Sequence, residues 1–346
     1  MADENEIGPV KLSDSRFVDP ETGQLILPSL MDKDQEEHFK IYPTWFVGDS
    51  TFGDSLRKIR NYDNADQYRS VYINLSQADL YYLKFIASFK SAQKIHLIRE
   101  ALLYPELFDA AKVDKSLKHL FINNLVWRWS YDHPVYGKTI DVYTLSANGY
   151  YFLKTLFGRE HYFYPMLLLS PRIPDIFHIR FWETIDLYQL LASIPAYRGS
   201  TTLFGGSEEK KLMKSPLQVA LHLKDEVQNL VFYPMLLTDS DQYYSSVIER
   251  WDDFTNKGEN LSTEVNELPG KQNVLTFYSP TLKYAVEFTK KFKLGQYHFP
   301  ILFVIGSVIK KYGIQDAFFA PLIGGKDNEL KQVKFKELLD ETANES

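Results

Sequence analysis

Leu75-Ser76-Gln77-Ala78-Asp79 opens the stretch of sequence that decides the fold. Ser76 is a typical helix N-cap, and Asp79, three residues later, completes an imperfect capping box. Apolar residues then recur at helical spacing as far as Phe89. The sequence therefore predicts a first helix here, within a stretch that continues to Phe157.

Two further helices are predicted before residue 125. Ser91 is the expected N-cap of the second helix, and Pro105 ends it. The third helix covers residues 110–124, because side chains suited to burial recur on one side at about 100° per residue. That side consists of Val113, Leu117, Leu120, Phe121 and Asn124.

A two-stranded β-ribbon is predicted to follow the third helix. Residues 125–129 and 140–145 are typical strands, and the segment between them is rich in turn formers, including Gly137. A short closing helix follows, with Ser146 as its N-cap and Gly158 at its end. Three helices, a ribbon and a closing helix together predict a winged helix-turn-helix, which is an α+β fold.

The outer face of the third helix carries the side chains suited to duplex DNA. Lysine binds phosphates and guanine edges, and asparagine can read adenine, so this face is expected to enter the major groove. In the ribbon, one basic residue lies on the first strand and another near the tip, where it would contact the DNA backbone or minor groove. The predicted DNA-binding residues are Lys112, Lys115, Lys118, His119, Asn123, Arg128 and Lys138.

Charge favours this interpretation. Residues 75–158 contain ten Lys and Arg against seven Asp and Glu, a balance of plus three, whereas the whole chain has a net charge of minus six. An acidic protein does not coat nucleic acid indiscriminately, so binding is expected to use one focused basic face and to depend on salt. Winged helices also bind proteins, and an interaction scaffold that never contacts DNA stays open as an alternative.

The chain is predicted to contain four regions. Residues 1–60 form an acidic, partly mobile arm, 61–160 the winged domain, 161–325 an α/β domain and 326–346 a charged tail. Within the first part, residues 41–47 are aromatic enough to pack on the winged domain or a second subunit. Residues 50–70 are interpreted as a solvated linker, in preference to a helix leading into the winged domain or an arm reaching along DNA.

The second half of the chain has an α/β pattern, with a sheet covered on both faces. A polar loop is predicted at 198–215, and His178 is expected to pack inside its domain or to pair with Asp175. The predicted helices are 175–194, 239–254, 281–292 and a short one ending at Tyr312; the predicted strands are 217–223, 228–237, 274–278, 299–305 and 318–323.

Several classes of function are disfavoured by composition. The chain has no cysteine, which excludes disulfides and thiolate chemistry and fits a reducing cytoplasm. The acidic start does not resemble a signal peptide, and no apolar run reaches the roughly 18 residues of a membrane span. Because phosphate-binding glycine motifs, a Gly-x-Ser-x-Gly turn and paired histidines are missing from the sequence, we expect no cofactor, no metal and no catalytic site.

The chain resembles the replication-relaxation family, whose members are winged-helix proteins of plasmids, phages and integrative elements. The likeness covers about residues 70–310. It is carried by Leu75-Ser76-Gln77, by Leu117-Lys118-His119-Leu120 before Leu125-Val126, by Tyr143-Thr144-Leu145-Ser146-Ala147-Asn148-Gly149, where the family tends to show Leu-Thr-x-x-Gly, and by the helix that contains His178.

The resemblance implies a C-terminal domain that looks like a restriction-endonuclease core. Such a core needs paired acids to hold Mg²⁺ and a lysine beside the attacking water. Here Asp239 is the only acid near the end of one candidate strand, Glu249 or Arg250 stands where a lysine is wanted, and Asp225 and Glu226 fall in a turn. We therefore expect a degenerate scaffold, with a metal-dependent nuclease as a third hypothesis.

Together these observations predict a cytoplasmic, non-enzymatic protein that binds double-stranded DNA in a sequence-specific way. The resemblance implies a plasmid or other mobile element as its setting, with a role in replication, conjugative transfer or their regulation. A homodimer is expected, because two wings double the contacts to a palindromic site. Other replication or transfer proteins are candidate partners, and no membrane partner is expected.

Overall fold

The structure of the protein is a computed structural model. Contacts divide it into an N-terminal unit, Glu37–Ile185, and a C-terminal unit, Asp186–Ser346 with Met1–Glu36. The sequence interpretation placed this boundary at residue 160. The structure describes residues 32–43, 62, 64–132, 139–158, 162–169, 174–203, 212–223, 226–256, 268–270, 272–322 and 329–333.

The N-terminal unit contains helices followed by a β-hairpin and a closing helix. The boundary between the two units falls inside a short helix at the start of this unit. In chain order, the elements of the N-terminal unit are α1 (Lys33–His38), β1 (Tyr42–Pro43), α2 (Ala65–Asn74), α3 (Gln77–Phe89), β2 (Ser91–Gln93), α4 (Lys94–Leu103), a 3₁₀ turn (Ala110–Lys112), α5 (Val113–Ile122), β3 (Val126–Asp132), β4 (Thr139–Leu145) and α6 (Ala147–Phe157).

One antiparallel sheet and packed helices hold this unit together. Its strand order is β1-β3-β4-β2, so the short strand between α3 and α4 pairs with the second strand of the hairpin. Helix α3 starts with the predicted capping box: the Ser76 hydroxyl accepts from Asp79 N, and Asp79 accepts from Ser76 N. Helix α3 also packs against α5.

Two predictions for the middle of this unit were wrong in detail. Ser91 does not cap the second helix, because Ser91–Gln93 pairs with β4 and the helix begins after Gln93. The third helix is shorter than residues 110–124. Its start is a separate 3₁₀ turn that Asp109 caps, and it ends before Asn124, whose backbone has a left-handed φ of 50°.

The segment before the first predicted helix is more structured than expected. The solvated-linker prediction is wrong for the end of residues 50–70, because α2 begins at Ala65 after an N-cap by Asn64. Tyr68 is buried, and its ring lies 6.2 Å from that of Phe152. Further upstream, Tyr42 and Pro43 pair with Ser130 and Trp129 as an edge of the sheet, and Ile41 is buried. Residues 44–47 lie outside the described residues.

The C-terminal unit is built around a seven-stranded mixed sheet. Its first helix begins in the N-terminal unit, and most of the later helices connect strands. Its elements are α7 (Phe177–Ala192), β5 (Tyr197–Thr201), β6 (Leu217–Leu223), β7 (Glu226–Pro234), α8 (Asp241–Asn256), β8 (Gln272–Ser279), α9 (Leu282–Phe292), β9 (Ile301–Ile305), α10 (Gly306–Tyr312), β10 (Phe318–Pro321) and β11 (Leu330–Gln332).

The sheet has the strand order β11-β10-β9-β8-β7-β6-β5. Strands β7, β8 and β9 are parallel, and the outer pairs are antiparallel. One face carries a hydrophobic core, in which Phe277 and Phe303 pack with Trp251 and Phe288. Strand β8 is buried along almost its whole length, as expected for a central strand.

The predicted order of helices and strands in this half is confirmed from α7 to β10, with ends shifted by a few residues. Two strands were missed. Strand β5 lies inside the predicted loop and pairs with β6 across a register shift next to Gly199, and β11 lies inside the predicted tail and pairs with β10. Taken together, the chain is a mixed α+β protein with helices and two sheets.

Candidate nucleic-acid interface

Helix α5 presents one apolar and one polar face. Val113, Leu117 and Leu120 are buried, which fixes the helix against its neighbours. Lys115 and Lys118 are exposed on the opposite side, and Ile122 is 50% exposed in the same direction, seven residues after Lys115. The three side chains therefore form a line along the helix, which we call the α5 outer face.

Two ion pairs flank the α5 outer face. Lys112 is exposed on the 3₁₀ turn, and its Nζ lies 3.0 Å from an Asp109 oxygen. The hydrogen bond from Lys112 holds the pKa of Asp109 below its usual value. Lys94 is the first residue of α4, and its Nζ lies 2.8 Å from Oδ1 of Asp114. Both acids near this face are thus paired with lysines, so the charge left at the face itself is positive.

His119 is half-buried and tied to another helix. Its Nδ1 lies 2.9 Å from an oxygen of Asp79, whose side chain is only 5% exposed. Burial tends to raise the pKa of Asp79, but hydrogen bonds from Ser116, His119 and Ser76 outweigh it and hold that pKa below its usual value. His119 therefore connects α5 to the start of α3.

Two other predicted DNA-binding residues serve internal contacts. Asn123 is buried, and its side-chain amide donates to the His119 carbonyl at 2.9 Å, so it does not lie beside the exposed lysines. Arg128 is held by Asp141 through Nε at 3.1 Å and Nη2 at 2.9 Å. Lys138 lies outside the described residues.

The structure adds Lys94 and Ile122 to the predicted set. With Ser91 taken as the cap, Lys94 fell inside the second helix; with Gln93 as the cap, it becomes the first helical residue. Lys94 is a partly exposed lysine at the start of a helix near α5, and its ammonium group is suited to a phosphate. The predicted helix phase already places Ile122 opposite the buried side, but an isoleucine has none of the charged or hydrogen-bonding groups by which a DNA-binding residue is recognised in a sequence.

The residues considered as nuclease candidates either hold the local backbone or lie at the surface. Asp239 accepts from Leu236 N at 2.9 Å and from the Tyr244 hydroxyl, which closes the turn before α8. Glu226 and Glu249 are exposed, as is Arg250, and Asp225 is not among the described residues. No three His, Asp or Glu side chains of the described ranges lie together as metal ligands.

No family model, no curated protein and no solved structure matches the chain significantly. Within the part of the chain that the structure describes, the helices are too short or too polar for any of them to traverse a lipid bilayer.

Proposed function

We propose that the N-terminal unit is a winged helix-turn-helix that binds duplex DNA in a sequence-specific way through the α5 outer face. The order of elements supports this. Helix α3, strand β2, helices α4 and α5 and the β3–β4 hairpin follow one another, and β2 pairs with β4. In this arrangement α4 and α5 form the helix-turn-helix. The second helix of such a motif, here α5, lies in the major groove.

The observation that carries the proposal is the line of Lys115, Lys118 and Ile122 along an otherwise anchored helix. The lysines would contact phosphates or guanine edges, and Ile122 would contact a thymine methyl group. Lys112 and Lys94 would contact the backbone after exchanging their aspartate partners for phosphate. Each exchange replaces one charge-assisted pair with another, so neither lysine is lost to the interface.

The remaining predicted residues take supporting roles in this proposal. Asn123 secures the end of α5, and Arg128 ties the two strands of the ribbon together through Asp141. Lys138 stays the proposed contact of the ribbon tip with DNA. In this proposal Lys138 contributes affinity for DNA, whereas the specificity for a DNA sequence depends on α5.

The C-terminal unit is proposed to be a non-catalytic scaffold that resembles an endonuclease core. Its strands β6, β7 and β8 carry one acid between them, Glu226, which is exposed at the start of β7. Buried amides occupy other polar positions of these strands, including Gln218, Asn229 and Asn273. A hard cation such as Mg²⁺ prefers carboxylates, so this set is poorly suited to hold one.

The setting that fits this proposal is a mobile genetic element. Binding to a palindromic site by a homodimer would direct the protein to an origin of replication or transfer, where it would act with other replication or transfer proteins. This part of the proposal rests on the family resemblance alone.

Selection of bound sequences from a random duplex pool, followed by titration of the best duplex, tests the proposal. We expect the Lys115→Ala/Lys118→Ala double variant to lose at least about 30-fold in affinity and to lower the salt slope by about two, because two phosphate contacts disappear. The matched control is Lys283→Ala/Lys290→Ala, which removes two exposed lysines from α9.

Two outcomes would contradict the proposal. Equal losses in both double variants would mean that binding follows total charge and not the α5 outer face. No enriched sequence and no binding at low salt would favour the protein-interaction scaffold instead.

A further inference from the structure

The pairing of His119 with Asp79 has chemical consequences at the edge of the α5 outer face. Two contacts hold the Asp79 carboxylate in place. One is the hydrogen bond with His119 Nδ1, and the other is the hydrogen bond from Ser76 N at 2.9 Å in the capping box. Its side chain is 5% exposed, against 37% for His119. The carboxylate is therefore a rigid, buried acceptor beneath a half-exposed imidazole ring.

This geometry determines which ring nitrogen carries the proton. An ionised carboxylate only accepts hydrogen bonds, so Nδ1 of His119 must be the donor. In the neutral ring Nε2 is then the acceptor, and a proton added to the ring binds at Nε2. Because the Nδ1 edge faces buried Asp79, the exposed part of the ring is the opposite edge, which carries Nε2.

We propose that the Asp79–His119 pair makes DNA binding pH-dependent, with Nε2–H of protonated His119 donating to a phosphate oxygen beside the α5 outer face. The inference rests on the proposed function and specifies how that same surface is regulated. Asp79 acts as a positioning residue, and His119 makes the contact.

The charges around His119 agree with this role. Lys115 and Lys118 of its own helix draw phosphate toward this face, and Asp79 is the acid bonded to the ring. Charged and titratable side chains on the other elements packed against α5 are engaged in their own contacts or buried. The contacts are those of Lys94 with Asp114, Lys112 with Asp109, His96 with Gln93 N, Glu100 with Tyr81, and Arg128 with Asp141. Arg99 and Tyr82 are buried.

Affinity for the selected duplex measured from pH 8.0 to pH 5.5 tests the inference in the full chain. Histidine changes charge in this range. We expect roughly three- to tenfold tighter binding at the acid end, as one phosphate contact is gained. His119→Gln should lose most of this gain in affinity between pH 8.0 and pH 5.5, whereas the exposed control His298→Gln should retain it.

Nitrogen NMR of the DNA-free protein supplies a readout that does not depend on DNA. We expect His119 as the Nδ1–H tautomer at pH 8, and a shift toward the other tautomer in Asp79→Asn. An Nε2–H tautomer in the unaltered chain would overturn the inference, as would a pH-independent affinity or a full gain in His119→Gln. Absence of DNA binding at every pH would instead refute the proposed function, and the inference with it.

Discussion

At the scale of single residues, His178 is an uncharged histidine in a buried hydrogen-bond chain. Trp182 Nε1 donates to the Ser91 hydroxyl at 3.1 Å, and that hydroxyl lies 2.8 Å from His178 Nδ1. Burial lowers the pKa of His178 to about 3, so its ring is neutral when Nδ1 shares a hydrogen bond with the Ser91 hydroxyl. Ser91 is therefore held in place by its side chain as well as by the backbone pairing of its strand with β4.

This chain of contacts predicts an acid-sensitive fold. Below about pH 6.5 the unfolded chain takes up a proton that folded His178 excludes, so the free energy of unfolding falls by up to about 1.4 kcal/mol per pH unit until the pKa of about 3. His178→Gln keeps an acceptor for Ser91 but does not titrate. Between pH 6.5 and 5 we expect the original protein to lose about 2 kcal/mol relative to this variant.

Urea unfolding at a series of pH values measures that difference. His298→Gln is the control, because His298 is exposed and its replacement should leave the pH dependence unchanged. Parallel stability curves for the original chain and His178→Gln would contradict the account.

The residue scale also shows what the sequence can and cannot determine about a site. Lys112, Lys115 and Lys118 are exposed, as helical periodicity indicated. The same periodicity could not reveal that His119 is bonded to Asp79, 40 residues away, or that Arg128 is held by Asp141. A helical wheel gives the direction of a side chain but not its partner, and the partner decides whether a polar group is available to a ligand.

At the scale of elements, the junction between α5, β3 and α6 depends on one glycine. A Cβ at Gly149 would lie 1.9 Å from the carbonyl oxygen of Leu125, which also accepts from Ser146 N at 3.0 Å. Helix α6 can approach the β3 strand this closely only without a side chain at that position. The glycine in the predicted turn motif thus has a packing reason.

Gly149→Ala is expected to reduce the free energy of unfolding by about 3 kcal/mol or more, because backbone must move to relieve the clash. The control is Gly158→Ala at the other end of the same helix. There φ is +62° but no atom lies within 4 Å of the added Cβ, so the cost should be about 1 kcal/mol from backbone strain alone. Chemical denaturation of both variants tests the comparison, and similar losses would contradict it.

Long elements were predictable, whereas short paired ones were not. Helices α8 and α9 and strands β6 and β8 have enough residues for periodicity, turn formers and caps to agree. Strands β2 and β11 have three residues each, too few to show any period, and they exist because a distant strand supplies hydrogen bonds. Capping preference misleads in a similar way. Serine is a preferred N-cap residue, so Ser91 predicts a helix start two residues before the actual N-cap, Gln93.

At the scale of the whole molecule, the proposal places a small basic surface on an acidic chain. Formal charge is minus six overall and plus three over residues 75–158. Long-range repulsion from the rest of the protein weakens binding to arbitrary DNA and leaves short-range contacts at α5 to determine affinity. This distribution of charge is expected to favour binding to a specific DNA sequence over binding to arbitrary DNA. Both affinities are expected to fall steeply as the salt concentration rises.

The most direct test of the central claim uses the absence of cysteine from the chain. Lys118→Cys introduces one attachment point for a DNA-cleaving iron chelate on the α5 outer face, and Lys290→Cys does the same on α9. With the selected duplex bound, we predict cleavage confined to a few nucleotides within the site for Lys118→Cys and none for Lys290→Cys. Uncut DNA in a bound Lys118→Cys complex, or equal cleavage by both, would contradict the account.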